Sequence, residues 1–134
     1  MQNWDMEAPS LGDIADIAEA ARAALPDPWR AGAQSVLLQV ADFADDDVLR
    51  EMGEEDAFAL TGLYDGIPVT QKSVADVVMQ PDTIWLFRRA ILDEWCGRGD
   101  VTLTALVTHV FVHELAHHFG WSDEDIAAID RWWE

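Results

Sequence analysis

Apolar residues near the start of the chain recur three and four positions apart. After Ser10, the segment LGDIADIAEAARAAL sets Leu11, Ile14, Ile17 or Ala18, Ala21 and Leu25 on one face, the spacing of an amphipathic helix. Ser10 and Asp13 stand in a capping-box relation, and Pro26 and Pro28 end the segment. SVLLQVADF is a short β-favouring run and predicts a strand at about residues 35–40. The acidic stretch ADDDVLREMGEEDAFAL reads chiefly as a solvated loop, with a short helix near Asp46–Met52 and Gly53 as its stop as the alternative. TGLYDGIPVT offers two short extended pieces around Asp65-Gly66, a dipeptide suited to a tight hairpin turn.

TIWLFRR, after Pro81, is a second strand candidate, and AILDEWCGRG a short helix stopped by glycine. The longest helical pattern is DVTLTALVTHVFVHELAHHFG, with Asp100 as N-cap and Gly120 as a left-handed stop. SDEDIAAIDRWW, capped by Ser122, predicts a final helix. Helices surrounding a few strands indicate an α+β fold, and 134 residues suit one domain over residues 1–134.

Composition narrows the function classes. Half of the residues are apolar, as in a folded globular chain, and the formal net charge is −18. That charge first serves solubility. It also repels phosphate backbones, so no nucleic-acid partner is expected. The N-terminal MQNWDMEAPS carries no basic segment with an apolar run behind it, and no uninterrupted apolar stretch reaches membrane-spanning length. With Cys96 as the single cysteine, a reducing cytoplasmic location without membrane association is expected.

All four histidines fall between positions 109 and 118. On a wheel of about 100° per residue, Val101, Val107, Phe111, Val112, Leu115 and Phe119 spread over most of the circumference, the mark of a buried helix. His109, His113 and His117 follow one another at one-turn spacing within about 80°, with Glu114 on their flank. Buried imidazoles without partners cost about 2–7 kcal/mol each, and only eight Lys and Arg are available as cations. A bound metal ion would satisfy them. His113 and His117, at i and i+4 in H-E-x-x-H, point two imidazoles at one spot and are the candidate zinc (Zn2+) ligands. Glu114 is the candidate catalytic group, taking the proton of the attacking water. The bland alternative is a chance match on a helix with exposed histidines.

A catalytic zinc site needs a third protein ligand and one open position. HELAHHFGWSD extends the match to H-E-x-x-H-x-x-G-x-x-D, where Gly120 can turn the chain back and Asp123 is the third-ligand candidate. Glu124 is the neighbouring alternative, and both acids also suit the start of a helix after Ser122. Only 17 residues follow His117, too few for a ligand on a much later helix. His118 reads as a packed or surface histidine rather than a ligand, His109 as a satisfied core histidine that could alternatively line the cleft or replace a ligand, and Tyr64 as a packing residue that could alternatively serve an oxyanion. Arg88 and Arg89 pair with the acidic surface or meet a substrate carboxylate, the former being favoured. Trp121 adjoins the motif as a candidate pocket wall.

VFVHELAHHFGWSDEDI, with GLYDGIPVT and PDTIWLFRRAI upstream, resembles the small bacterial zincin-like metallopeptidases, and the resemblance runs from about Ala33 to the C-terminus. It implies a zincin-like α+β fold, with a small mixed β-sheet packed on the buried helix that carries His113, Glu114 and His117. It also implies an edge strand, here TIWLFR at 83–88, that aligns extended substrate by β-addition. None of the four methionines follows the motif, so the methionine turn of the metzincins has no counterpart here.

The expected activity is zinc-dependent hydrolysis of peptide bonds in peptide or unfolded protein substrates by metal-activated water. The alternative is a non-catalytic zinc-stabilised domain that binds a protein partner. A zinc-dependent ribonuclease of H-G-x-x-H type fits poorly, since Glu114 stands where that pattern has glycine.

Overall fold

The fold is given by a computed structural model that describes residues 8–27, 29–66 and 82–120. The described elements are α1 (Leu11–Ala23), α2 (Trp29–Ala33), β1 (Leu37–Ala41), α3 (Asp46–Glu51), a 3₁₀ turn (Ala57–Ala59), β2 (Gly62–Asp65), β3 (Thr83–Phe87), α4 (Arg88–Arg98) and α5 (Leu103–His118).

Helix α1 forms where the apolar spacing places it. Ser10 Oγ accepts from the Asp13 amide at 3.1 Å, and the Asp13 carboxylate accepts from the Ser10 amide at 2.8 Å. Two otherwise orphaned N–H groups are thereby satisfied. Ile14 and Ala18 are buried on the inner face. Arg22 is buried there too, its Nη1 donating to the carbonyls of Ala33 at 2.7 Å and Val36 at 2.6 Å. One guanidinium thus fastens α1 to the chain entering β1.

The acidic stretch after β1 is a helix rather than the solvated loop favoured from sequence. Asp45 caps α3 by accepting from the Val48 amide at 2.9 Å, and Asp46 and Asp47 occupy the first turn. Carboxylates there face the positive end of the helix, so local charge favours the element. Gly53, at φ 67°, lies just beyond its end.

The strands form one mixed sheet in the order β1-β3-β2. β1 runs parallel to β3, and β2 runs antiparallel to it with Gly62 opposite Leu86. The α+β expectation holds, but TIWLFR is not an edge strand. β3 is central, and among the described residues the edges are β1 and β2. Ile84 and Leu86 enter the main core with Ile14, Leu106 and Phe111, whereas Phe87 joins Ala44 and Ala90 in a second cluster that Trp85 packs against. Apolar side chains on both faces put β3 inside the fold, where unpaired backbone groups would be costly. The second extended piece of TGLYDGIPVT and the final helix expected from SDEDIAAIDRWW lie outside the described residues.

Candidate metal centre

The helix that carries the histidines starts later than its sequence suggests. Thr102 caps α5, its Oγ1 accepting from the Ala105 amide at 3.0 Å, in place of Asp100 two residues earlier. The Val101 carbonyl accepts from the Trp95 indole at 3.0 Å, which holds the turn between α4 and α5.

Helix α5 is not buried all round. Leu103, Leu106, Val107, Val110, Phe111 and Leu115 are buried, whereas His109, His113, Glu114 and His117 are half-buried. The polar stripe therefore runs along the boundary between core and solvent, and its burial alone does not demand a cation. The case for a metal rests on convergence instead. The His113 and His117 rings lie 5.1 Å apart, and one donor atom from each of His113, Glu114 and His117 falls within 4.8 Å of the others. Two imidazoles and a carboxylate are a donor set suited to zinc. His109, whose ring is 6.0 Å from that of His113, continues the stripe outside this group.

Gly120 takes the left-handed conformation expected of it at the end of α5. The Gly120 amide donates to the His117 carbonyl at 3.0 Å, and Gly120 takes φ 77°, a left-handed turn open to glycine at little cost. Asp123, the expected third ligand, lies outside the described residues, as do Trp121, Ser122 and Glu124.

Strand β2, an edge of the sheet among the described residues, passes close beside the candidate ligands. Gly62 is buried, and a Cβ at this position would lie 2.7 Å from Val110 Cγ1 and 3.3 Å from Glu114 Cγ. Glycine is what lets the strand approach the helix at Glu114. A cleft of about 310 Å³ opens there, with His109, His113 and Glu114 on one wall, Thr61 and Gly62 on another, and the Glu94–Arg98 ion pair (2.8 Å) at its side. Sequence reasoning did not single out Gly62, Glu94 or Arg98. The last two are an i,i+4 pair on α4 and reach the cleft only because α4 packs beside α5.

His118 and Tyr64 take the packing roles expected of them, around a partner the sequence did not suggest. His118 is buried, with Nδ1 2.7 Å from Asp82 Oδ2, and the Tyr64 hydroxyl donates to the same oxygen at 2.6 Å. Burial first, then the Asp82 hydrogen bond and charge, push the Tyr64 phenol above its ordinary pKa. It is a donor, not a ready proton source. Arg88 pairs with Asp42 at 2.9 Å, and the Arg89 guanidinium lies over the Phe43 ring at 5.5 Å. Neither lines the cleft.

Among the described residues, no helix is long and apolar enough to cross a membrane. The family model for zincin-like metallopeptidases matches residues 33–133. No curated protein matches the chain.

Proposed function

The chain belongs to the zincin-like metallopeptidase family, and from that premise we propose that it is a zinc-dependent peptidase acting on extended peptides or unfolded protein segments. The observation that carries this reading is the convergence of His113, Glu114 and His117 donor atoms within 4.8 Å, on a helix beside strand β2.

In this reading His113 and His117 hold the zinc through one nitrogen each, and Asp123 supplies the third ligand, with Glu124 as the neighbouring alternative. When bound, zinc polarises the scissile carbonyl and lowers the pKa of water. Glu114 then takes the proton of the attacking water and delivers it to the leaving amine. That role keeps Glu114 out of the ligand set, although it lies within reach of the same point as the two imidazoles. Extended substrate pairs with β2, an edge of the sheet among the described residues, which brings its backbone over the cleft at Glu114. A chain of net charge −18 favours peptide over nucleic acid or anionic membrane as partner. The lone Cys96 suits a reducing, cytoplasmic setting.

The test is to measure bound metal and peptide turnover in the wild type and in Glu114→Gln. The wild type should carry about one zinc and cleave an unfolded casein-type substrate. Glu114→Gln should keep the zinc and lose about 10²–10⁴-fold in turnover. Failure of the wild type to bind zinc after supplementation would remove the metal. Equal turnover in the two proteins would remove Glu114 from the chemistry. Zinc binding with no turnover in either would favour a zinc-stabilised binding domain.

A further inference from the structure

The last turn of α5 carries a polar cluster that the proposed chemistry does not use. Asp82, the residue before β3, places its Oδ2 2.7 Å from His118 Nδ1 and 2.6 Å from the Tyr64 hydroxyl. The His118 and Asp82 side chains are only 5% and 4% exposed. A carboxylate this far from water is tolerated when donors meet it, and here they arrive from two other elements. Tyr64 belongs to β2 and His118 to α5. The Asp82 backbone carbonyl also accepts from the Leu37 amide at the start of β1, at 2.9 Å. One residue therefore joins the whole sheet to the C-terminal turn of the helix. With the hydroxyl donating to Oδ2, the Tyr64 oxygen also lies 3.3 Å from His118 Nδ1, which closes the three side chains into one cluster.

The position of this cluster is what gives it a consequence. His118 is bonded to His117, and α5 ends at His118, so the second candidate ligand sits in a terminal turn. Terminal turns open most readily, whereas a metal ligand must be held to within about 0.5 Å of its working position. The same carboxylate fixes Tyr64, two residues along β2 from the close approach of Gly62 to Glu114. Holding both ends from one atom sets the helix end and the sheet edge at a fixed separation.

We propose that Tyr64, Asp82 and His118 are positioning residues that hold His117 and strand β2 in place, so that zinc affinity depends on three side chains outside the ligand set. The inference rests on the reading of His113 and His117 as zinc ligands.

The experiment compares zinc dissociation constants, from competition with a chromophoric chelator, for wild type, Asp82→Asn and Tyr64→Phe. Thermal melts of the metal-free proteins and the visible spectra of their cobalt-substituted forms accompany it. Asp82→Asn keeps the shape and removes the charge. It should weaken zinc by about 10-fold or more and alter the cobalt spectrum, because the ligand geometry changes. Tyr64→Phe, which removes one hydrogen bond, should show a smaller loss of the same kind and carries the test if Asp82→Asn does not fold. The double variant should lose no more than Asp82→Asn alone, since both changes act on one oxygen. Unchanged affinity in the folded variants overturns the positioning role while leaving the zinc site intact. Weaker zinc binding with an unaltered cobalt spectrum also overturns it, assigning the loss to general destabilisation. A wild type that binds no zinc defeats the zinc reading itself, and this inference with it.

Discussion

Replacing Gly62 with alanine puts a methyl group between the sheet edge and the helix of the candidate metal centre. The new carbon would lie 2.7 Å from Val110 Cγ1 and 3.3 Å from both Glu114 Cγ and the Trp85 carbonyl oxygen. Carbon atoms in favourable contact sit about 3.5–4.0 Å apart, so β2 or the Val110 side chain must give way by about 1 Å. Val110 is buried and Gly62 is paired with Leu86, which leaves little freedom for either to move. Overpacking of this kind costs about 1–3 kcal/mol. The reduced freedom of the unfolded alanine chain offsets about 0.4–1 kcal/mol of it. A net loss of about 1–2 kcal/mol remains. With about 2.1 cal/mol/K of unfolding entropy per residue over 134 residues, the melting temperature should fall by about 3–7 °C.

Circular dichroism melts of Gly62→Ala, Val110→Ala and the double variant would measure it. Val110→Ala opens the space that the new methyl needs. The double variant should therefore be more stable than the sum of the two single losses allows, by about 1 kcal/mol. Since the strand is displaced at Glu114, turnover should fall in Gly62→Ala while zinc stays bound. A melting temperature within about 1 °C of wild type, or strict additivity in the double variant, would refute the close approach.

Other perturbations probe separate parts of the molecule. Arg22→Met keeps the aliphatic stem but removes the guanidinium donor from the Val36 carbonyl and leaves the Ala33 carbonyl only the Val36 amide at 3.3 Å, so chemical denaturation should show a loss of about 1–3 kcal/mol; a loss under about 0.5 kcal/mol would contradict the bridging role. Asp123→Ala should weaken zinc by about 10-fold or more in a chelator competition, and an unchanged affinity would pass the third-ligand role to Glu124. Tyr64, the single tyrosine, has its phenol pKa raised by the fold, so its contribution to stability is complete below the unfolded value of about 10. Above that pH the unfolded chain releases the proton while the folded chain keeps it, and stability falls. Denaturation midpoints should drop less steeply on the alkaline side in Tyr64→Phe, and a tyrosinate absorbance appearing in the folded protein at the ordinary pH would contradict the shift.

The features legible in the sequence are those decided within a few residues. Ser10 with Asp13, Gly99 after α4 and Gly120 after α5 end or begin helices through hydrogen bonds and dihedral angles local to each site. The stripe of His109, His113 and His117 follows from helical spacing alone. Asp45 to Asp47 resemble a solvated acid run, yet they cap α3 and complement its dipole, so the same residues carry two local meanings. Asp100 and Thr102 are both capping residues two positions apart, and α5 starts from Thr102.

Sheet order is another matter. TIWLF could belong to an edge or a centre, because strand pairing is settled by segments far away in the chain. β3 became central when β1 joined it from one side and β2 from the other. The Tyr64–Asp82–His118 cluster spans 54 residues, and no pattern in the intervening sequence announces it. The approach of Gly62 to Glu114 likewise joins residues on different elements. Sequence by itself determined helices α1, α4 and α5 and the stripe of His113, Glu114 and His117, because backbone hydrogen bonds and helical spacing act over three or four residues. Only the tertiary structure decided which strand faces the cleft and which buried carboxylate steadies the helix, because those depend on packing between elements that share no local signal.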